Sequence, residues 1–172
     1  MKRLWAPWRM EYVTAEPGGG CIFCEARDNP QRAGVVFRGS RGLIMLNAYP
    51  YNSGHLLVVP YEHVPNITDL SDEDLCYVAR LAKAAVKALE RTMRPAGFNV
   101  GINIGTPAGA GIAEHVHIHV VPRWIGDTNF MSVVAETRVV PEALQACEER
   151  LKPVLAEVAA ELGVETMPEE GA

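Results

Sequence analysis

Apolar residues recur along this chain with two distinct periods. From Ser71 onward, Leu75, Val78, Ala82, Val86 and Leu89 repeat at the spacing of one helical face. Ser71 is placed to cap that helix, Asp72, Glu73 and Asp74 suit the positive end of its dipole, and Pro95 with Gly97 closes it. A second helix is expected from about Pro141 to Leu162, with a kink at Pro153. Elsewhere the period shortens to that of strands. VVFRG and GLIMLN read as two short strands meeting at a Gly39–Gly42 turn, and HLLVVP as a nearly continuous apolar strand ended by Pro60. In FNVGINIG, Asn99, Gly101 and Asn103 alternate with Val100, Ile102 and Ile104; in EHVHIHVVPRW, His115, His117 and His119 alternate with Val116, Ile118 and Val120. The glycine-rich loop GTPAGAGIA joins these two as an antiparallel hairpin. With no repeat and no linker, the pattern predicts one α+β domain over residues 1–162, its core at about 4–140 and a C-terminal helix at about 141–162, followed by a loose acidic tail over 163–172.

Strict alternation puts the three histidines of EHVHIHVVPRW on one face of their strand. Each step of two residues advances a strand by roughly 6.5 to 7 Å, so the outer two stand about 13 Å apart and one metal ion cannot hold all three. Folding alone has no use for imidazole three times in register, so the row implies sites with divided labour.

Composition narrows the functional classes. With 172 residues, 48% of them hydrophobic and 22% charged, the chain is long enough for a proper core. A net charge of −5 leaves no basic footprint for long nucleic acid, although a small anionic substrate remains compatible. No apolar run reaches membrane-spanning length, and Pro7 and Arg9 interrupt the start where a signal peptide needs an apolar stretch, so a cytoplasmic protein is expected. Of the four cysteines, Cys76 and Cys147 lie in helical patterns and read as small buried residues. Cys21 and Cys24 form a C-x-x-C pair, either half of a zinc site or a redox dithiol. The Gly18–Gly20 lead offers no thioredoxin-like strand, which favours zinc provided two further ligands exist. The glycine loop lacks the G-K-[ST] ending of a P-loop and opens a strand instead of a helix.

HVHIHVV resembles the H-φ-H-φ-H-φ-φ signature of the histidine triad family of nucleotide hydrolases and nucleotidyl transferases. NAYPYNSGHLLVVPYEH and GFNVGINIGTPAGAG resemble its other blocks in matching order, while LWAPWRMEYV and HVVPRWIGDTNF look closest to the bacterial branch related to diadenosine tetraphosphate phosphorylases. The resemblance implies a HIT-like fold, with helices packed on a five-stranded antiparallel sheet, and a homodimer whose sheets join. It implies that His117 is the nucleophile that attacks the α-phosphate, that His119 contacts the phosphate oxygens and leaving group, and that His55 is a further active-site histidine. Asn47 would bind ribose hydroxyls, and Ile22, Met45 and Leu46 would line the base pocket. Asn103 with Gly109, Ala110 and Gly111 would form the phosphate-side wall, Gly111 standing where many members carry Ser or Thr. In the zinc-containing members, the places of Cys21, Cys24, His63 and His115 hold one structural zinc. The implied substrate is an adenosine nucleotide, in particular a dinucleoside polyphosphate such as diadenosine tetraphosphate. Two alternatives stay open: a phosphorylase with inorganic phosphate as acceptor, and a slow-turnover nucleotide-binding sensor.

Overall fold

The computed structural model describes residues 20–29, 32, 34–127 and 143–167. The opening LWAPWRMEYV, residues 128–142 with the expected start of the last helix, and residues 168–172 of the expected tail lie outside the described residues. Five strands, β1 (Val35–Arg38), β2 (Gly42–Leu46), β3 (Leu56–Pro60), β4 (Gly97–Ile102) and β5 (Ile118–Arg123), form one antiparallel sheet in the order β1-β2-β3-β5-β4. Three helices accompany it: α1 (Ile22–Asp28), α2 (Asp72–Met93) and α3 (Leu144–Glu161). The expected α+β fold with a five-stranded antiparallel sheet is the one found.

Both faces of the central strands are covered, which is why β2 and β3 read as continuous apolar runs and not as alternating ones. On one face Ile44, Leu46, Leu56, Val58 and Val120 pack against α2 and α3 through Leu81, Leu89, Leu151 and Leu155. On the other, Leu43, Met45, Leu57 and Val59 meet Phe23 and Ala26 of α1. Helix α1 was not expected from the sequence: its seven residues are too few to display a period. Arg38 of β1 holds its C-terminal end, donating to the carbonyls of Ala26, Arg27 (3.1 Å) and Asn29 (2.7 Å), where a helix presents unpaired oxygens and negative partial charge.

Helix α2 begins as its sequence predicts, with Ser71 Oγ accepting from the Asp74 N–H at 3.1 Å, and Arg94 closes it in the left-handed conformation at φ 47°. Helix α3 runs on through Pro153. Cys147 is buried in its core-facing stripe, but Cys76 is exposed, because the buried stripe of α2 passes through Tyr77, Val78 and Leu81 and leaves Cys76 beside it.

Two further expectations need correction. The histidine strand starts later than its alternation suggests: β5 opens at Ile118, and the Val116 N–H bonds the Val64 carbonyl (2.7 Å) outside the sheet ladder. Residues 163–167, expected to be loose, are docked. Val164 fills a place in the α2/α3 core, Thr166 bridges Gly39, and the Ser40 N–H donates to the Glu165 carbonyl at 2.9 Å. Tyr77 pins this seam, its hydroxyl donating to the Glu165 carbonyl and accepting from the Ser40 N–H (2.9 Å). Gly39 must be glycine there, since a Cβ would meet the Tyr77 hydroxyl. Tyr77→Phe should therefore lower stability by about 1 kcal/mol in chemical denaturation, and an unchanged midpoint would show that the hydroxyl does not hold the seam.

Candidate active site and adjoining metal cluster

The ladder aligns the α1-facing side of the sheet into a row. Met45 pairs with Leu57, Leu57 with His119, and His119 with Gly101. Because strand residues alternate, Leu46 points the other way and packs in the α2/α3 core. Leu46 is thus corrected as a lining residue of the base pocket; Leu57, which sequence reasoning missed, stands on that face instead. Phe23 was also missed. It lies between the two cysteines on α1, with ring centroids 5.2 Å from His115 and 4.8 Å from His117. A helix there would have been the signal, through the spacing of Ile22, Phe23 and Ala26.

Main-chain partners fix the protons of the buried imidazoles. His117 Nδ1 lies 2.9 Å from the His115 carbonyl, which only accepts, so this nitrogen carries the proton and Nε2 keeps its lone pair. At His55 the roles are reversed. The Tyr51 N–H donates to His55 Nδ1 at 3.1 Å, and the Asn47 amide nitrogen stands 3.3 Å from the same atom, so the proton of neutral His55 is on Nε2. From there it is donated to His119 Nδ1 at 3.0 Å, which leaves the His119 proton on Nε2; the Asn103 amide nitrogen, itself a donor, stands 3.5 Å from that atom and does not accept from it. His117 and His119 are 4.8 Å apart between ring centroids. A nitrogen lone pair and an N–H donor therefore stand side by side.

Burial keeps these rings neutral. His55 is pushed down to about 3, by desolvation first and then by the charge His119 and His117 would carry. His119 is pushed to about 4 by desolvation and then by His117. Desolvation also lowers His117, against the opposing effect of its hydrogen bond to the His115 carbonyl.

Cys21, Cys24, His63 and His115 come together, one ligand atom from each lying within 4.8 Å of all the others. His115 Nε2 donates to the Pro60 carbonyl at 3.0 Å, which turns the Nδ1 lone pair toward Cys21 Sγ (3.2 Å) and Cys24 Sγ (3.8 Å). His63 Nδ1 is 3.2 Å from Cys24 Sγ. A tetrahedral centre with metal–sulfur bonds of about 2.3 Å and metal–nitrogen bonds of about 2.0 Å separates its S and N donors by about 3.5 Å. The four residues fit such an ion in donor chemistry and in spacing.

The remaining expected residues fall around the same face. Asn47 has its amide nitrogen toward His55 and its oxygen accepting from the Tyr49 N–H at 2.9 Å. Asn103 faces His119 and the Gly109 carbonyl, both at 3.5 Å; Ala110 is buried, and nothing stands within 4 Å of a Cβ placed on Gly111. Ile22 is 40% exposed at the start of α1, open toward solvent beside the buried Phe23. Sequence reasoning gave no role to Tyr51, whose ring lies nearly parallel to His119, at 16° with centroids 5.8 Å apart.

A two-faced antiparallel sheet with this histidine row defines a class. Residues 29–124 match the HIT domain family, and the chain belongs to it. It is 41% identical over 155 residues to the AP-4-A phosphorylase of Mycobacterium tuberculosis, an alignment covering 84% of this chain and 80% of that protein. With the bis(5'-nucleosyl)-tetraphosphatase (asymmetrical) of Schizosaccharomyces pombe it shares 30% identity over 94 residues, 55% of this chain and 51% of the other. Among solved structures, a zinc-bound histidine triad family protein from Mycobacterium smegmatis superposes with a TM-score of 0.68 at 27% identity, covering 83% of this chain and 97% of that one.

The depressed histidines set an acid limit on stability. An unfolded chain takes up protons on His55 and His119 as pH falls through about 6.5, whereas the fold resists until about 3 for His55 and about 4 for His119. Their contribution is complete above about pH 6.5 and is lost as pH falls through the folded values. Unfolding free energy should therefore drop between about pH 6.5 and 4, and His55→Gln should reduce that slope by roughly one proton, about 1.4 kcal/mol per pH unit. An identical slope in wild type and variant would place the acid sensitivity elsewhere.

Proposed function

We propose that this chain is an enzyme that cleaves dinucleoside polyphosphates such as diadenosine tetraphosphate at an α-phosphate, by way of a nucleotidyl-histidine on His117. The observation that carries this reading is the His117 tautomer: Nδ1–H is held by the His115 carbonyl, and the Nε2 lone pair stands beside the N–H of His119. Neutral imidazole is a competent nitrogen nucleophile at pH 7. In the first step Nε2 bonds to the α-phosphorus, the bond from phosphorus to the bridging oxygen breaks, and the leaving nucleotide departs with that electron pair. His119 Nε2–H donates to oxygen as its charge rises, and His55 anchors His119 from behind. The phosphoramidate then yields to an oxygen nucleophile, restoring His117. Water gives AMP and ATP; inorganic phosphate gives ADP and ATP.

Phosphate as acceptor is the second reading, supported by the name of the mycobacterial relative; the yeast relative's name supports water. In our reading Asn47 and the Ile22, Met45 and Leu57 surface take the proximal nucleoside, and Asn103 with Gly109–Gly111 flanks the phosphates. Cys21, Cys24, His63 and His115 hold zinc, which supplies a closed four-coordinate cross-link between α1, the segment after β3 and the approach to β5. A reduced thiol pair suits a cytoplasmic location, and no helix among the described residues is long and apolar enough to cross a membrane. We read β4 as the edge through which two copies pair: it closes one side of the sheet, and Val100 on it is 53% exposed.

Incubating the protein with diadenosine tetraphosphate, with and without phosphate, and resolving the products separates the acceptors; release of neither AMP nor ADP would end the proposal. His117→Ala should lose several orders of magnitude in turnover while still binding nucleotide, and His119→Ala about 100-fold, chiefly in rate. A folded His117→Ala variant within tenfold of wild type would put the nucleophile elsewhere.

Elemental analysis of untagged protein should find close to one zinc per chain. Cys24→Ser should lose the metal and lower the melting temperature far more than it lowers the rate of the folded fraction. Zinc-free wild-type protein that had never met a chelator would refute the assignment.

A further inference from the structure

The transfer step leaves one prominent group at the site without a task. Tyr51 packs on two of the site's histidines, with ring centroids 4.6 Å from His55 and 5.8 Å from His119, yet remains 47% exposed. Its loop is fixed at two points. The Tyr51 N–H is bound to His55, and the next residue, Asn52, donates to the Pro122 carbonyl (3.1 Å) and to Asp127 (2.9 Å). Asp127 is in turn gripped by Arg123 through two hydrogen bonds of 2.6 and 2.8 Å. A half-exposed aromatic ring on a loop tied at these points is a preorganised stacking surface, with little entropy left to lose when a planar ring settles on it.

The position of Tyr51 along the histidine row says which ring that is. Helix α1 touches the row at His115 and His117 through Phe23, whereas Tyr51 touches it at His119 and its loop reaches on to Pro122. The α1 flank and the Tyr51 flank thus meet the row at different histidines, Phe23 at His115 and His117 and Tyr51 at His119. On the Tyr51 side, Arg123 shares the sheet face of His119 with its side chain 42% exposed, and nothing stands within 4 Å of a Cβ placed on Gly101, opposite His119.

We propose that Tyr51 is a specificity-determining residue, the platform on which the base of the leaving nucleotide stacks. This rests on the function proposed above, with the proximal nucleoside on the α1 side. It predicts a preference for substrates that carry a second nucleoside.

Two substrates with the same proximal end and the same scissile bond test it: diadenosine tetraphosphate, and adenosine tetraphosphate, which lacks the distal nucleoside. Wild type should favour the first in kcat/KM by about tenfold or more, the range that base–aromatic stacking supplies. Tyr51→Ala should lose about tenfold or more on diadenosine tetraphosphate and less than about threefold on adenosine tetraphosphate, and Tyr51→Trp should restore the preference. Thermal melting and elution volume would establish that both variants keep fold and assembly. Equal losses on both substrates would overturn the proposal, because Tyr51 would then act through His119 or on the proximal nucleoside; so would a wild type without preference. Cleavage of neither substrate by wild type is a different failure, which removes the proposed function and this subsite with it.

Discussion

A backbone carbonyl can only accept a hydrogen bond and a backbone N–H can only donate one, and the site is built on that asymmetry. An imidazole left to itself exchanges its proton between two nitrogens, so a row of histidines would hold a mixture of tautomers. The His115 carbonyl removes that freedom from His117, the Pro60 carbonyl removes it from His115, and the Tyr51 N–H removes it from His55 and, through His55, from His119. Four side chains of one chemical type thereby acquire fixed and different faces: a lone pair turned toward two thiols, a lone pair beside an N–H donor, an inner link and an outward N–H. Burial reinforces the arrangement by holding the rings neutral, since a protonated His55 would have no lone pair for the Tyr51 N–H.

Sheet geometry explains how the Cys/His cluster and the histidine row share a short stretch of chain. Residues 115 to 117 precede the ladder of β5 and are free to bend, so the His115 carbonyl can turn back to His117 while the His115 ring reaches the cysteines. Phe23 fills the space between, touching both rings from a helix that the cluster grips at one end and Arg38 at the other. The thiol-facing imidazole of His115 and the fixed tautomer of His117 are mechanically adjacent, joined through the side chain and carbonyl of His115.

Much of this was legible in the sequence, and the failures share a cause. The strands, the Ser71 cap and the gathering of Cys21, Cys24, His63 and His115 follow from spacing and local chemistry, or from resemblance across matching blocks. Helix α1 was missed because seven residues cannot show a period, and with it went Phe23. Leu46 was misassigned because β2 is apolar on both faces, so its sequence does not say which side chains face the site; only the pairing of Met45 with Leu57 and of Leu57 with His119 does. The docking of residues 163–167 depends on Gly39 and Tyr77, far upstream, and no local pattern announces a partner so distant.

That distant seam has a consequence for the order in which the molecule is made. Every residue assigned to the site and to the metal cluster is translated before residue 120, while α3 and the strip that bridges Gly39 come after residue 143. On the ribosome, the α1 face of the sheet and the cluster of Cys21, Cys24, His63 and His115 can therefore assemble while the opposite face, already covered by α2, still lacks α3 over β1. The nascent chain passes through a stage in which the histidine row is in place while Val36 and Phe37 of β1 still await α3, which makes that end of the sheet, and not the row, the exposed apolar surface.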